Sequence, residues 1–121
     1  MQVAYLYIGL NSFIMMALAV VVVMGRGKNK VSFGDGGVKA LNTAIRAHGN
    51  NTEYVPFGLI LIFALATKGA SNMQLHLLGA SLTVGRILHA LGLIIGLPMG
   101  RMFGIILTWL MIIVGAVMIT L

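Results

Sequence analysis

The sequence predicts an all-α membrane protein, a bundle of four transmembrane helices, on three observations. Hydrophobic residues make up 60% of the 121 residues, and the mean hydropathy is +1.04. Charged residues make up only 8%, whereas a soluble domain carries about 25%. Four apolar stretches follow one another, separated by short polar or glycine-rich segments. A chain of this length leaves room for one domain, covering residues 1–121.

Each predicted span approaches the roughly 20 apolar residues that a helix needs to cross a bilayer. The expected helices cover residues 3–24, 41–66, 75–97 and 102–121. The first contains only Asn11 and Ser12 as polar interruptions. The second has an apolar part, 55–66, that is too short to cross alone. Its polar residues must therefore form its first turns, near the membrane surface.

The connecting segments predict the orientation. Residues 25–37 form a glycine-rich, basic loop, residues 68–74 a short polar turn, and Pro98 with Gly100 a tight break before Arg101. Basic loops stay in the cytoplasm, so the first and third loops are expected there, with both termini on the other side. No basic segment precedes the first apolar run, so no cleaved signal peptide is predicted.

Charge and cysteine content exclude several classes of function. The formal net charge of +6 fits a basic cytoplasmic loop better than a nucleic-acid surface. The absence of cysteine excludes a thiol nucleophile in the protein itself. The three histidines lack the spacing of a metal site, so no metal is expected.

Glycines recur at intervals of four from the end of the third span into the fourth: Gly92, Gly96, Gly100 and Gly104. Such spacing permits close approach of helices. It is explained by packing within one subunit or by contact between subunits.

The second span carries the first candidate site. Arg46, Asn50 and Glu53 fall within one narrow arc of a helix, with Tyr54 beside them. A guanidinium, an amide and a carboxylate on one side suit a zwitterionic ligand. The alternative is that Arg46 and Glu53 pair within the bundle and neutralise each other.

Two further positions add positive charge. Arg86 and His89 lie one turn apart in the third span, and a chain with two acids cannot neutralise its buried arginines. An anionic ligand or a lipid headgroup is therefore expected, although His89 also suits a buried histidine bonded to a carbonyl. Arg101 either anchors a headgroup or stabilises an anion formed in the site.

These residues resemble the MAPEG family, the membrane-associated proteins of eicosanoid and glutathione metabolism. The second span reads Arg46-x3-Asn50-x2-Glu53-Tyr54-x-Pro56, which is similar to that family's second-helix signature. Arg86-x2-His89 is similar to the third-helix pattern of its prostaglandin-synthase branch. The resemblance extends over nearly the whole chain, and its compact loops resemble a bacterial member.

The resemblance implies a homotrimer that binds glutathione between subunits near the cytoplasmic face. It assigns thiolate stabilisation to Arg101 and contributes Arg26 from a neighbouring subunit. The other glutathione contacts that it implies are Arg46, His48, Asn50, Glu53, Tyr54, Arg86 and His89. Two departures argue against prostaglandin isomerase activity: Leu93 stands where several members have tyrosine, and Met102 stands where a serine follows the catalytic arginine.

The hypothesis from sequence is a glutathione transferase or peroxidase of the bacterial inner membrane. Its activated thiolate would attack a lipophilic electrophile or hydroperoxide that arrives through the bilayer. The sequence is also compatible with two other functions. One is a non-catalytic scaffold that binds glutathione or lipid, and the other is a small four-span transporter or channel.

Overall fold

Four antiparallel helices and three short connections make up the chain. The computed structural model describes all residues, Met1–Leu121. The helices are α1 (Gln2–Asn29), α2 (Lys39–Thr67), α3 (Asn72–Ile94) and α4 (Pro98–Thr120). There are no strands. The prediction of an all-α, four-helix bundle is confirmed.

Three helices are long and apolar enough to cross a membrane, namely α1, α3 and α4. The helix that falls outside this set is α2, because its first half carries the polar residues between Arg46 and Glu53. With 29 residues at 1.5 Å each, α2 is roughly 43 Å long. It is therefore long enough to extend beyond a hydrocarbon core of about 30 Å while placing its polar half toward one end.

The observed helix ends differ from the expected ones for local reasons. The first helix continues through Asn29, so Arg26 and Lys28 lie in its last turn and not in the loop. Basic side chains there interact favourably with the negative end of the helix dipole. Lys30 adopts a left-handed conformation (φ 54°) and ends the helix.

The third helix begins at Asn72, three residues before the expected start, because Ser71 and Gln74 form a reciprocal capping box. It ends at Ile94, and Gly96 turns the chain with a φ of 75°. Pro98 then occupies the first turn of α4, where its missing N–H costs nothing.

The main hydrophobic core lies at the end of the bundle that holds the termini. It includes Val3, Ala4 and Tyr7 of α1, Ile62 of α2, Leu75 of α3 and their neighbours. A smaller cluster of Leu18, Ala47 and Ala90 lies toward the opposite end. The two ends therefore differ: aliphatic packing fills one, and polar side chains gather at the other.

Large apolar side chains also cover the outside of the bundle. Phe13, Phe63, Trp109 and many aliphatic residues are exposed. An apolar exterior of this extent is what a lipid environment requires, because hydrocarbon solvates such side chains as well as a protein core does.

Candidate functional site

A polar cavity opens at the end of the bundle away from the main core. Its volume is about 230 Å³, less than the roughly 300–1,000 Å³ of typical ligand pockets. Its lining consists of Asn42, Thr43, Arg46, Asn50, His89, Leu93 and Arg101. Two arginines and a histidine line it, and no acidic side chain does.

The face of α2 toward this cavity follows helical spacing, since Asn42, Arg46 and Asn50 recur every four residues. The start of α2 is fixed by Asp35 in the preceding loop. Its carboxylate accepts hydrogen bonds from the Gly37 backbone N–H and the Asn42 amide. These bonds hold the pKa of the Asp35 carboxyl below its ordinary value. One of the two acids in the chain is thus engaged by the loop.

Glycines bring α4 against α3 and so position Arg101. A Cβ added at Gly92 would overlap the backbone of Arg101, and one added at Gly104 would overlap the backbone of His89. A Cβ at Gly100 would lie 3.3 Å from the Leu88 carbonyl oxygen. Close approach of these two helices within one subunit therefore explains three of the four regularly spaced glycines. Gly96 lies in the turn and not in a helix.

Arg86 lies behind the cavity and is almost fully buried, with 1% of its surface exposed. Its Nη1 donates to Asn50 Oδ1 at 2.7 Å, and its Nε donates to Thr108 Oγ1 at 3.0 Å. Thr108 in turn donates to the Gly104 carbonyl at 2.8 Å. A continuous line of hydrogen bonds therefore links α2, α3 and α4 beside the cavity.

No carboxylate neutralises this guanidinium. Its two side-chain partners are a neutral amide and a hydroxyl, and its Nη2 is buried without a partner. The Tyr54 ring lies 5.6 Å from the guanidinium carbon, close enough for a cation–π contact. Burying a cation costs several kcal/mol unless an opposite charge compensates it. The site therefore holds a surplus of positive charge.

The structure places the predicted site residues in three groups. Arg46, Asn50, His89 and Arg101 line the cavity together. Arg86 and Tyr54 form the layer behind Asn50. The remaining three, Arg26, His48 and Glu53, belong to neither of these and make up the third group.

The members of the last group point elsewhere on this subunit. Glu53 is exposed, and His48 is half-buried. Arg26 lines a separate groove beside the first loop, with Lys30 and Ser32. Asn50, and not Glu53, is the α2 residue that binds an arginine within the chain.

A second, larger cavity adjoins the first around Arg101. Its volume is about 520 Å³, and it shares Thr43, Leu93 and Arg101 with the polar cavity. Met102 and Ile105 contribute apolar lining. Arg101 therefore stands between a polar compartment and a more apolar one.

Sequence reasoning missed Thr108, which fixes Arg86, and Asn42 and Thr43, which line the cavity. Thr108 could have been identified from the sequence, because it is a polar residue in the middle of an otherwise apolar helix. In the structure it is fully buried. Asn42 and Thr43 are indistinguishable in sequence from ordinary residues at a polar helix start.

Comparison with known proteins decides the family. The MAPEG family model matches residues 4–121. The chain belongs to the MAPEG family. The protein named inner membrane protein YecN, from two strains of Escherichia coli, is 35% identical over 108 residues. That alignment covers 89% of this MAPEG chain and 82% of YecN. No solved structure matches the chain.

Proposed function

We propose that this MAPEG protein is a glutathione transferase or peroxidase embedded in the bacterial inner membrane. The observation that carries the proposal is the polar cavity lined by Arg46 and Arg101, without an acid, in front of the buried Arg86. Glutathione has two carboxylates and one ammonium group, so it brings a net negative charge to this site.

The side chains of the cavity suit the two ends of glutathione. Arginine grips a carboxylate through two parallel hydrogen bonds, which a lysine cannot reproduce. Arg86 holds Asn50 Oδ1, so the Asn50 amide N–H₂ is directed away from that guanidinium. It remains free to donate to a ligand carbonyl or carboxylate. The ammonium group needs an acid, and Glu53 is the free acid of α2.

Because Glu53 is exposed and the cavity of one chain is small, a second copy has to complete the site. The proposal therefore includes an oligomer, a homotrimer by analogy with the family. In it, Arg26 of each copy would reach the glutathione of its neighbour, and His48 would add a further polar contact. The cavity would face the cytoplasm, where the basic loop is expected, and both termini would face the other side.

Arg101 is the residue assigned to catalysis. A free thiol has a pKa near 8.5, so only a few per cent is thiolate at neutral pH. A guanidinium beside the sulfur stabilises the thiolate and lowers that pKa. A decrease of two units corresponds to roughly 2.7 kcal/mol. It converts most of the bound glutathione into the nucleophile.

The adjoining cavity suits the second substrate, a lipophilic molecule from the bilayer. In conjugation, the thiolate sulfur forms a bond to an electrophilic carbon, and the leaving group departs with its electron pair. With a hydroperoxide, the sulfur attacks oxygen and the O–O bond breaks. The departing alkoxide takes a proton from water, and a second glutathione converts the sulfenic acid to disulfide and water. Both reactions place the sulfur at Arg101, between the two cavities.

The test is conjugation of an aryl halide with glutathione by the purified protein in detergent. Arg101→Ala is expected to lose most of the turnover at neutral pH. Lys28→Ala removes a positive charge from the same end of the bundle, in the last turn of α1 and outside the cavity, and should retain activity. Wild-type turnover no greater than that of Arg101→Ala contradicts the assignment.

One observation favours the non-catalytic scaffold as a second candidate. Leu93 lines both cavities at the position where several family members have a tyrosine. Glutathione binding without turnover of either substrate class would identify the protein as a scaffold.

A further inference from the structure

We propose that a second ligand site lies between α1 and α2, and that it binds a long-chain alcohol from the bilayer. This site is separate from the polar cavity and shares no lining residue with it. It has a volume of about 230 Å³. Its lining consists of Asn11, Ser12, Met15, Asn51, Thr52, Val55, Pro56 and Leu59.

Two buried amides give this site its polar character. Asn11 is fully buried, and Asn51 is 2% exposed. Neither polar atom of the Asn51 side chain has a hydrogen-bond partner, and Asn11 Oδ1 also lacks one. Leaving a buried polar group unpaired costs about 1–3 kcal/mol. Three unpaired atoms beside one cavity therefore indicate a missing hydrogen-bonding partner.

The orientation of Asn11 is fixed by its neighbours. Thr83 Oγ1 donates its hydrogen to the Gly79 carbonyl, so it can only accept from Asn11. Asn11 Nδ2 donates to Thr83 Oγ1 and to the Tyr7 carbonyl, both at 2.9 Å. The oxygen is thus the free atom of Asn11, and it is an acceptor. Asn51, with no bond to hold it, can turn its amide toward the cavity.

Pro56 adds a further acceptor. It has no N–H, so the Thr52 carbonyl one turn earlier loses its helical donor. Thr52 lines the same cavity. The site therefore offers at least two acceptors, from Asn11 and Thr52, and the donor of Asn51.

The available groups select a hydroxyl. An alcohol O–H donates to an acceptor and at the same time accepts from the Asn51 amide, whereas a ketone or ester can only accept. No charged side chain lines the cavity, so a carboxylate or an ammonium group would be buried without compensation.

The position of the opening selects a lipophilic molecule. Asn11 lies in the interior of α1, well away from both of its ends. Ser12, Met15 and Pro56 line the cavity and are exposed on the outside of the bundle, where lipid tails lie. The cavity volume of about 230 Å³ is several times the roughly 30 Å³ that one water occupies in the liquid. A long-chain alcohol fits this arrangement, because its hydroxyl would lie beside the buried amides and its alkyl chain would extend through the opening into the bilayer.

Photolabelling tests the proposal on the full chain in lipid vesicles. The probe is 1-hexadecanol with a diazirine near its hydroxyl end. Peptide mapping is expected to find the label on α1 around Ser12 and on α2 around Thr52. Excess unlabelled 1-hexadecanol should reduce labelling at least tenfold, whereas hexadecane and palmitate should not. Displacement by hexadecane to the same extent would overturn the role of the amides.

Two variants distinguish the hydrogen bonds that the buried amides make with the alcohol from the entry of the alcohol into the cavity. Asn51→Leu is expected to reduce saturable labelling about tenfold, the loss that corresponds to about 1.4 kcal/mol. Ser12→Leu narrows the opening without altering either buried amide and should have a similar effect, so the test does not depend on the folding of one variant. Asn29→Leu is the matched control, because Asn29 bonds only the Gly25 carbonyl of its own helix.

Three results would overturn the proposal. Labelling that does not saturate means that the cavity holds water or that the two amides pair with each other. Absence of label from α1 and α2 in the oligomer means that a neighbouring copy covers the cavity. Unchanged labelling of both Asn51→Leu and Ser12→Leu means that the alcohol binds elsewhere.

Discussion

Replacing Asn50 with aspartate tests the surplus of positive charge that the site holds at the buried Arg86. Asn50 Oδ1 lies 2.7 Å from Arg86 Nη1, so Asn50→Asp brings a carboxylate to the buried guanidinium without changing the side-chain shape. Unit charges about 4 Å apart attract by roughly 4 kcal/mol at an effective dielectric constant of 20. The cost of desolvating the carboxylate, several kcal/mol, offsets most of this attraction. The apoprotein should therefore gain stability by about 1 kcal/mol, a rise of a few degrees in Tm.

The same variant should lose its response to glutathione. A ligand at one hundred times its Kd stabilises the folded protein by about 2.7 kcal/mol. In Asn50→Asp the cation is already compensated, and the new negative charge repels the carboxylates of the ligand. The glutathione-dependent rise in Tm is expected to disappear.

Thermal unfolding in detergent, with and without millimolar glutathione, measures both effects. Asn29→Asp is the control, because it adds the same charge at the same end of the bundle but outside the polar cavity. That variant should keep the wild-type response to glutathione. The reasoning is refuted if Asn50→Asp keeps the full glutathione-dependent shift, since a neutralised Arg86 would then make no difference to binding.

Three further results are expected from the same structure. Gly104→Leu should separate α3 from α4, because its side chain would overlap the His89 backbone, and both Tm and turnover should fall; unchanged turnover would contradict the packing argument. Thr108→Val removes the acceptor of Arg86 Nε and should raise the KM for glutathione several-fold, whereas Thr120→Val, at the exposed end of α4, should not. The deficit of Arg101→Ala should shrink above pH 8.5, where the free thiol ionises without help; a deficit that stays constant to pH 9.5 would exclude thiolate stabilisation as the role of Arg101.

Three of the helices, α1, α3 and α4, were predictable because each depends on a long apolar run, which a single chain displays directly. Their ends were less predictable, since they depend on contacts between neighbouring residues. The Ser71–Gln74 capping box starts α3 three residues early, and Lys30 ends α1 five residues later than the expected end at residue 24. Such differences leave the order of the helices unchanged but move Arg26 and Arg101 from loops into helices.

The polar cavity was predictable only in part. Helical spacing indicated that Arg46 and Asn50 share a face, and both line the cavity. The same spacing placed Glu53 with them, but the exposed position of Glu53 depends on how α2 packs against α3. The bond from Asn50 to Arg86 joins residues 36 positions apart, and periodicity within one helix carries no information about such contacts.

Direct binding of glutathione to the purified protein tests the central claim most closely. The comparison is glutathione against its dimethyl ester, which keeps the thiol and the ammonium group but has no carboxylate. A guanidinium site built for an anion should bind glutathione at least tens of times more tightly than the ester, a difference of about 2 kcal/mol or more. Equal affinities, or no binding of glutathione at millimolar concentration, would contradict the account.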